Sequence, residues 1–312
     1  MKFSRAKGQD RAGRILEGLL SSGRMPSALL FHGLEGVGKT IVAHDFAKAL
    51  TCGSAASALE PCGLCADCGA VDKRLHPDIK AVNSAYQASL LEEELSKQRS
   101  LKVETIRHLR RDMEMESLLG RWKVAVIEDA HTMVPEAANA LLKILEEPPR
   151  RTLWILVTPY RDRMIKTILS RCFSVPFGPL PEKALAEILK GREIEPARAA
   201  ALARLAEGSA SRALELDGAE QAPSALLENP MSPVTAAEGL PRDLPSARVE
   251  AERALYALGQ ELRLRHLDGA LEFSRAERAL GAILRLRQAL RSNADPRLIL
   301  TLAGVEAQNS LS

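Results

Sequence analysis

The residues Gly33-Leu34-Glu35-Gly36-Val37-Gly38-Lys39-Thr40 read G-x-x-x-x-G-K-T, a spacing suited to holding phosphate. Gly33, Gly36 and Gly38 allow backbone turns with φ > 0, so that successive N–H groups converge on one concavity. A helix beginning at Lys39 adds unsatisfied N–H groups and a partial positive charge at the same point. Lys39 can then reach the terminal phosphates and the Thr40 hydroxyl can ligate Mg²⁺. The expected ligand is ATP or ADP with Mg²⁺. A ligand-free glycine turn is the alternative, but a strand signal (Ala28 to Phe31) before the loop and a helix signal to about Leu50 after it argue for the phosphate site.

A second chemistry-bearing set is Cys52, Cys62, Cys65 and Cys68. C-x9-C-x2-C-x2-C suits tetrahedral Zn²⁺, and four protein ligands leave no open position, so the site is expected to be structural. Four unliganded core thiols are the other reading, but the small polar stretch Gly53 to Ser57 cannot build a core. The fifth, Cys172, is expected in a strand as a small buried hydrophobe. His76 beside Pro77 reads as a turn residue rather than a ligand.

A third set sits at strand ends. Lys123 to Ile127 followed by Glu128-Asp129 describes a buried parallel strand delivering two acids to its C-terminal edge. In nucleotide hydrolases one such carboxylate holds Mg²⁺ and its neighbour can activate water. The bland reading is that they cap the following helix. Thr152 to Thr158 is another buried strand, tipped by a hydroxyl that could sense a phosphate or equally cap the strand end.

The elements that position these groups follow from periodicity. Helices are expected over 5–25, 103–116, after Pro135, and around Ile165 to Leu169, with a strand through His76 to Val82 and a last one entered at Ser170-Arg171-Cys172. Residues 83–100 are polar and aperiodic and are expected to form an exposed, partly helical excursion. The β-loop-α alternation makes residues 1–175 one doubly wound α/β domain with a zinc module at 52–68. Residues 176–217 read as a small helical lid with helices from Pro181 and Pro196 and a break at Gly208-Ser209. Residues 218–312 read as an all-α domain after a proline-containing connection (218–233). The arginines of its helices, such as Arg263 and Arg287, fit a solvated bundle face better than a nucleic-acid surface.

The 312 residues, 27% charged with a net charge of +3, leave little room for a strongly polyanion-seeking chain. No run of about 18 apolar residues is present, so no membrane partner is expected. Met1-Lys2-Phe3-Ser4-Arg5 lacks a signal-peptide core, and the expected location is the cytoplasm, where clustered thiols more often hold metal than form disulfides.

The phosphate loop, the four cysteines, Ser170-Arg171-Cys172 and the run Ala138-Asn139-Ala140-Leu141-Leu142-Lys143-Ile144-Leu145-Glu146-Glu147-Pro148-Pro149 together resemble the clamp-loader branch of the AAA+ family of bacterial DNA polymerase III. The resemblance covers about residues 5–217 and reaches the C-terminal helices only loosely. It implies a pentamer with gamma/tau-like and delta-like subunits that opens a sliding clamp and places it on primed DNA, with residues 218–312 as the oligomerising collar. It also implies that Arg171 is an arginine finger for a neighbouring subunit and Arg212 a lid residue sensing nucleotide. Motor members carry Asp-Glu where this chain has Glu128-Asp129, and place the lid arginine three residues after the glycine, whereas here it is four after Gly208. With the lack of the longer tail many motor members carry, these departures resemble the non-motor, delta-prime branch, binding nucleotide but hydrolysing it slowly if at all. The alternatives are an ATP-hydrolysing gamma/tau-like motor and a zinc-dependent DNA-binding protein with a vestigial nucleotide site.

Overall fold

The computed structural model describes residues 7–54, 61–119, 121–218, 226–227 and 229–311. The expected Gly53 to Ser57 stretch and the connection 218–233 lie partly outside the described residues. The chain divides into two units, Met1–Ala184 and Leu185–Ser312.

The first unit is built on a five-stranded parallel sheet. Its strands are β1 (Ala28–Gly33), β2 (Ile79–Val82), β3 (Lys123–Ile127), β4 (Thr152–Thr158) and β5 (Phe173–Phe177), in the order β2-β3-β4-β1-β5. β3 and β4 are buried along their whole length, as runs such as Val124 to Ile127 require when both faces are covered. The helices are α1 (Asp10–Ser22), α2 (Lys39–Thr51), α3 (Ala66–Asp72), α4 (Ser84–Leu91), α5 (Val103–Glu114), α6 (Pro135–Glu146) and α7 (Lys166–Leu169). One face of α5 (Ile106, Leu109, Met113) and of α6 (Leu141, Ile144, Leu145) packs with Leu30, Ile127, Trp154 and Leu156 in one core.

The strand order sets the site. β4 lies between β1 and β3, and neighbouring strands are about 4.8 Å apart. The phosphate loop leaving β1, Thr158 ending β4 and the acids following β3 are therefore aligned along one sheet edge, the edge at which open α/β sheets bind ligands.

Three elements differ from the sequence expectations. β2 starts at Ile79 because His76, Pro77 and Asp78 form a turn, with His76 Nδ1 accepting from the Asp78 N–H at 3.1 Å and the Ile79 N–H donating to His76 O at 3.2 Å. Residues 83–100 are not a wholly exposed excursion. Asn83 caps α4 through Tyr86 N–H, and Gln87, fully buried, uses all four of its amide positions. Its Nε2 donates to Gln98 and the Ser100 carbonyl; its Oε1 accepts from Lys102 N–H and Thr105. Cys172 lies in the bend just ahead of β5 rather than in a strand. It still packs against the core, and burial pushes its thiol up to about 12.

In the second unit, helices Pro196–Leu205 and Ala210–Gly218 flank a break at Gly208-Ser209. They are followed by Ser232–Glu238, Leu244–Leu267, Phe273–Arg291 and Pro296–Leu311. Leu255, Leu258, Leu262, Ile283, Leu300 and Ala303 form its core. The division between the units along the chain, after Ala184, falls within the helix Glu182–Lys190.

Candidate nucleotide site and metal centre

The phosphate loop is held tightly against β5. Gly33 has φ 138°, and a Cβ there would lie 2.0 Å from the Phe177 carbonyl oxygen, so only glycine fits. Gly36 (φ 75°) and Gly38 (φ 92°) complete the turn into α2. Lys39 is only 6% exposed, and its ammonium donates to the carbonyls of Gly33 (2.9 Å) and Leu34 (2.6 Å). Burial lowers its pKa to about 8, against the opposing charges of Glu35 and Asp129. Thr40 follows in the first turn, half-buried.

The two acids diverge. Glu128, whose N–H pairs with Val82 O, turns its carboxylate toward α2, with Oε1 3.6 Å from His44 Nε2. Both of those atoms are buried and neither has a hydrogen-bond partner. Asp129 adopts a left-handed conformation (φ 47°), stays exposed, and is the acid whose charge acts on Lys39. Thr158 is fully buried, and its Oγ1 accepts the Tyr160 N–H at 3.0 Å, which is the strand-end cap arrangement.

Sequence reasoning missed several groups at this edge. His32, at the end of β1, sits 2.8 Å from Ser174 Oγ, and burial lowers its pKa. His131 meets Tyr160 edge-on at 4.9 Å, and Arg163 lies over that ring at 4.3 Å. Each depends on a neighbour from another strand or loop, so spacing alone gave no signal.

Arg171 is paired within its own chain. Its Nη2 is 2.7 Å from Glu146 Oε1, at the end of α6, and its Nη1 donates to Thr167 O. The sequence offered no acid for it; α6 brings one. Arg212 belongs to the second unit, where it pairs with Glu207 at 3.0 Å. Glu207 also receives Arg263 at 2.7 Å, and that hydrogen bond heads the causes that lower its pKa.

Cys52, Cys62, Cys65 and Cys68 come together with all four Sγ atoms within 4.8 Å of one another. Cys52–Cys65 and Cys62–Cys68 are each separated by 3.9 Å, far beyond the roughly 2.05 Å of a disulfide. Four sulfurs about 2.3 Å from a tetrahedral Zn²⁺ would be about 3.8 Å apart, so the donor set fits that ion. Three backbone N–H groups point at sulfur: Cys62 N to Cys52, Cys65 N to Cys62 and Cys68 N to Cys65. The Cys68 N–H is the largest influence bringing Cys65, the N-cap of α3, down to about 6. Burial instead pushes Cys68 up to about 12, a thiol that a bound cation would deprotonate. The module is fixed to the phosphate-loop helix. Cys52 directly follows α2, Lys48 pairs with Asp72 at 2.6 Å, and Arg121 bridges Asp67 (2.8 Å) and the Thr51 carbonyl (2.6 Å).

Among the described residues, no helix is long and apolar enough to cross a membrane.

Residues 8–181, more than half of the chain, match the family model described as DNA polymerase III, delta subunit. DNA polymerase III subunit tau of Escherichia coli is 34% identical over 220 residues, 69% of this chain and 32% of the relative. DNA polymerase III subunit delta' of Bacillus subtilis is 33% identical over 208 residues, 67% of this chain and 59% of the relative. The chain thus spans about a third of the first and somewhat over half of the second. A gamma subunit-related protein of DNA polymerase III from Thermotoga maritima has the same fold, with a TM-score of 0.51 at 15% identity over 97% of this chain and 99% of that one.

Proposed function

The chain belongs to the DNA polymerase III delta-subunit family, a clamp-loader family, and on that premise we propose that it is the non-motor, delta-prime-like subunit of a clamp loader. In this reading it joins gamma/tau-like and delta-like subunits in a pentamer that loads a sliding clamp onto primed DNA. Gly33, Gly36, Gly38, Lys39 and Thr40 would hold ATP or ADP with Mg²⁺. Cys52, Cys62, Cys65 and Cys68 would hold a structural Zn²⁺ that stiffens the end of α2. The lid, residues 176–217, would bring Arg212 to nucleotide, and residues 218–312 would form the collar.

The observation that carries the non-motor reading is the divergence of the acids. Glu128 is turned to His44 at 3.6 Å, and the residue after it is the shorter Asp129, left-handed and exposed. Water activation tolerates only about 1 Å of misplacement before the rate falls by orders of magnitude, so slow hydrolysis is expected. Arg171 would act on the site of the adjacent subunit. Its exposed pair with Glu146 is of a kind worth about 0–1 kcal/mol, and a phosphate can readily replace it.

The intact phosphate loop and the equal likeness to tau favour a second reading, a motor subunit. A zinc-dependent DNA-binding role has less support, because Lys48 and Arg121 of the module region are already paired with Asp72 and Asp67. The deciding experiment compares ATP turnover by the isolated chain with DNA-stimulated turnover and clamp loading by a complex rebuilt with and without it. Near-background turnover alone and a requirement for the chain in the complex are expected. Motor-like turnover by the isolated chain would overturn the proposal in favour of the second reading.

A further inference from the structure

We propose that a cavity beside the edge strand β2 binds a small oxyanion, carrying a carboxylate or phosphate group, through His76 and Arg74. The cavity, about 410 Å³, lies among α2, α3, the turn before β2 and the start of α4, and no residue of the phosphate loop lines it. Its volume falls within the range of roughly 300–1,000 Å³ typical of small-molecule sites.

His76 lines this cavity and is 4% exposed. Its Nδ1 accepts the Asp78 N–H at 3.1 Å, so that nitrogen carries the lone pair and the ring is neutral. The single ring proton is therefore on Nε2. That Nε2–H is buried and has no hydrogen-bond partner. A buried donor without an acceptor is costly and rare, and His76 is one of the residues that line the cavity.

No acidic residue lines the cavity, whereas His44, Arg74 and Lys80 do. Lys80 is engaged with Asp112 at 3.4 Å and His44 lies 3.6 Å from Glu128. Arg74 makes no ion pair among the described residues. It stands exposed at the rim in a left-handed turn (φ 58°), fixed where α3 ends by Arg74 N to Val71 O and Leu75 N to Ala70 O. The N-terminal end of α4, with Asn83 and Ala85 at the cavity wall, adds a partial positive charge. Val71, Ile79 and Leu75 supply apolar wall, so the fitting ligand is a small anion with a short hydrocarbon portion.

The test is NMR of histidine ring nitrogens on the zinc-loaded full chain carrying Lys39→Ala, which removes phosphate binding at the loop. Inorganic phosphate and succinate are titrated separately. The expected result is a His76 ring protonated on Nε2, with signals that shift saturably with at least one anion; the preferred anion identifies the head group. His76→Phe removes the donor and should weaken binding by about 10- to 100-fold, as expected for a hydrogen bond to a charged group. Arg74→Ala, at the exposed rim where the fold is not at risk, should also weaken it about 10-fold or more. His76 signals unmoved by both anions, as for a donor satisfied by ordered water only, would overturn the proposal. So would equal affinities in the parent and the Arg74 variant.

Discussion

Substitution of glycines by alanine should separate a steric requirement in the phosphate loop from a conformational one. At Gly33 an added Cβ would lie 2.0 Å from the Phe177 carbonyl oxygen, with φ at 138°. Both the clash and the backbone conformation oppose the substitution. Strain in a sparsely populated region contributes about 1–3 kcal/mol and overpacking about 1–3 kcal/mol, so Gly33→Ala should destabilise the first unit by about 2–6 kcal/mol. At Gly38 the φ is 92° but nothing lies within 4 Å of the added atom, leaving only the strain, about 1–3 kcal/mol. At Gly18, inside α1 with nothing within 4 Å, alanine should stabilise by about 0.5–1 kcal/mol. Trp122 and Trp154 both lie in the first unit, so tryptophan fluorescence in a denaturant titration reports that unit. Gly33→Ala should also shift the loop off β5 and weaken ATP binding more than its stability loss accounts for. An equal midpoint for Gly33→Ala and Gly38→Ala would refute the reasoning, because the close approach to Phe177 would then have no energetic consequence.

Three further outcomes are expected. Protein purified without chelator should contain about one Zn²⁺ per chain; Cys65→Ser should lose it and raise hydrogen exchange in α3 and the last turn of α2, while the sheet stays folded, and a metal content of zero in wild-type protein would refute this. The lowered pKa of Lys39, about 8 against an ordinary 10.5, means its charge is lost as pH rises through about 8. ADP affinity measured by calorimetry should therefore fall above that pH, while this group's effect on stability runs the other way and grows between about 8 and 10.5, where the unfolded chain binds the extra proton; a flat affinity profile across that window would count against the buried-lysine geometry. Arg171→Ala should change the stability of the isolated chain by less than about 1 kcal/mol and leave its nucleotide affinity unaltered. It should nonetheless reduce DNA-stimulated ATP turnover of the rebuilt complex, by up to about 10³ to 10⁵ for a full arginine-finger role; equal turnover with assembly verified would leave Arg171 with a structural role only, its pair with Glu146.

The phosphate loop, the cysteine set and the strands before Gly33 and Glu128 were legible in the sequence because each is encoded by consecutive residues. Glycines at fixed offsets, thiols separated by two intervening residues and runs of apolar residues impose local geometry whatever surrounds them. The start of β2 was less legible: the expected strand runs from His76, but a few residues of periodicity cannot distinguish the turn at His76 to Asp78 from the strand that begins at Ile79. Residues 83–100 are polar, but polarity is not exposure. Gln87 is polar and fully buried, and only its four partners, drawn from residues 98 to 105, make that possible.

What the sequence determined by itself is therefore the kind of chemistry available: a phosphate cradle, a four-sulfur metal set and two acids at a strand end. The tertiary structure decided how those groups are disposed. The order β2-β3-β4-β1-β5 aligns loop, hydroxyl and acids along one edge, and it also brings α2 beside β3, so that Glu128 faces His44. Likewise α6 delivers Glu146 to Arg171, and the turn before β2 consumes one nitrogen of His76 while leaving the other without a partner. Such pairings join residues far apart in the chain, and their geometry depends on parallel crossovers and helix packing, which no local residue pattern encodes.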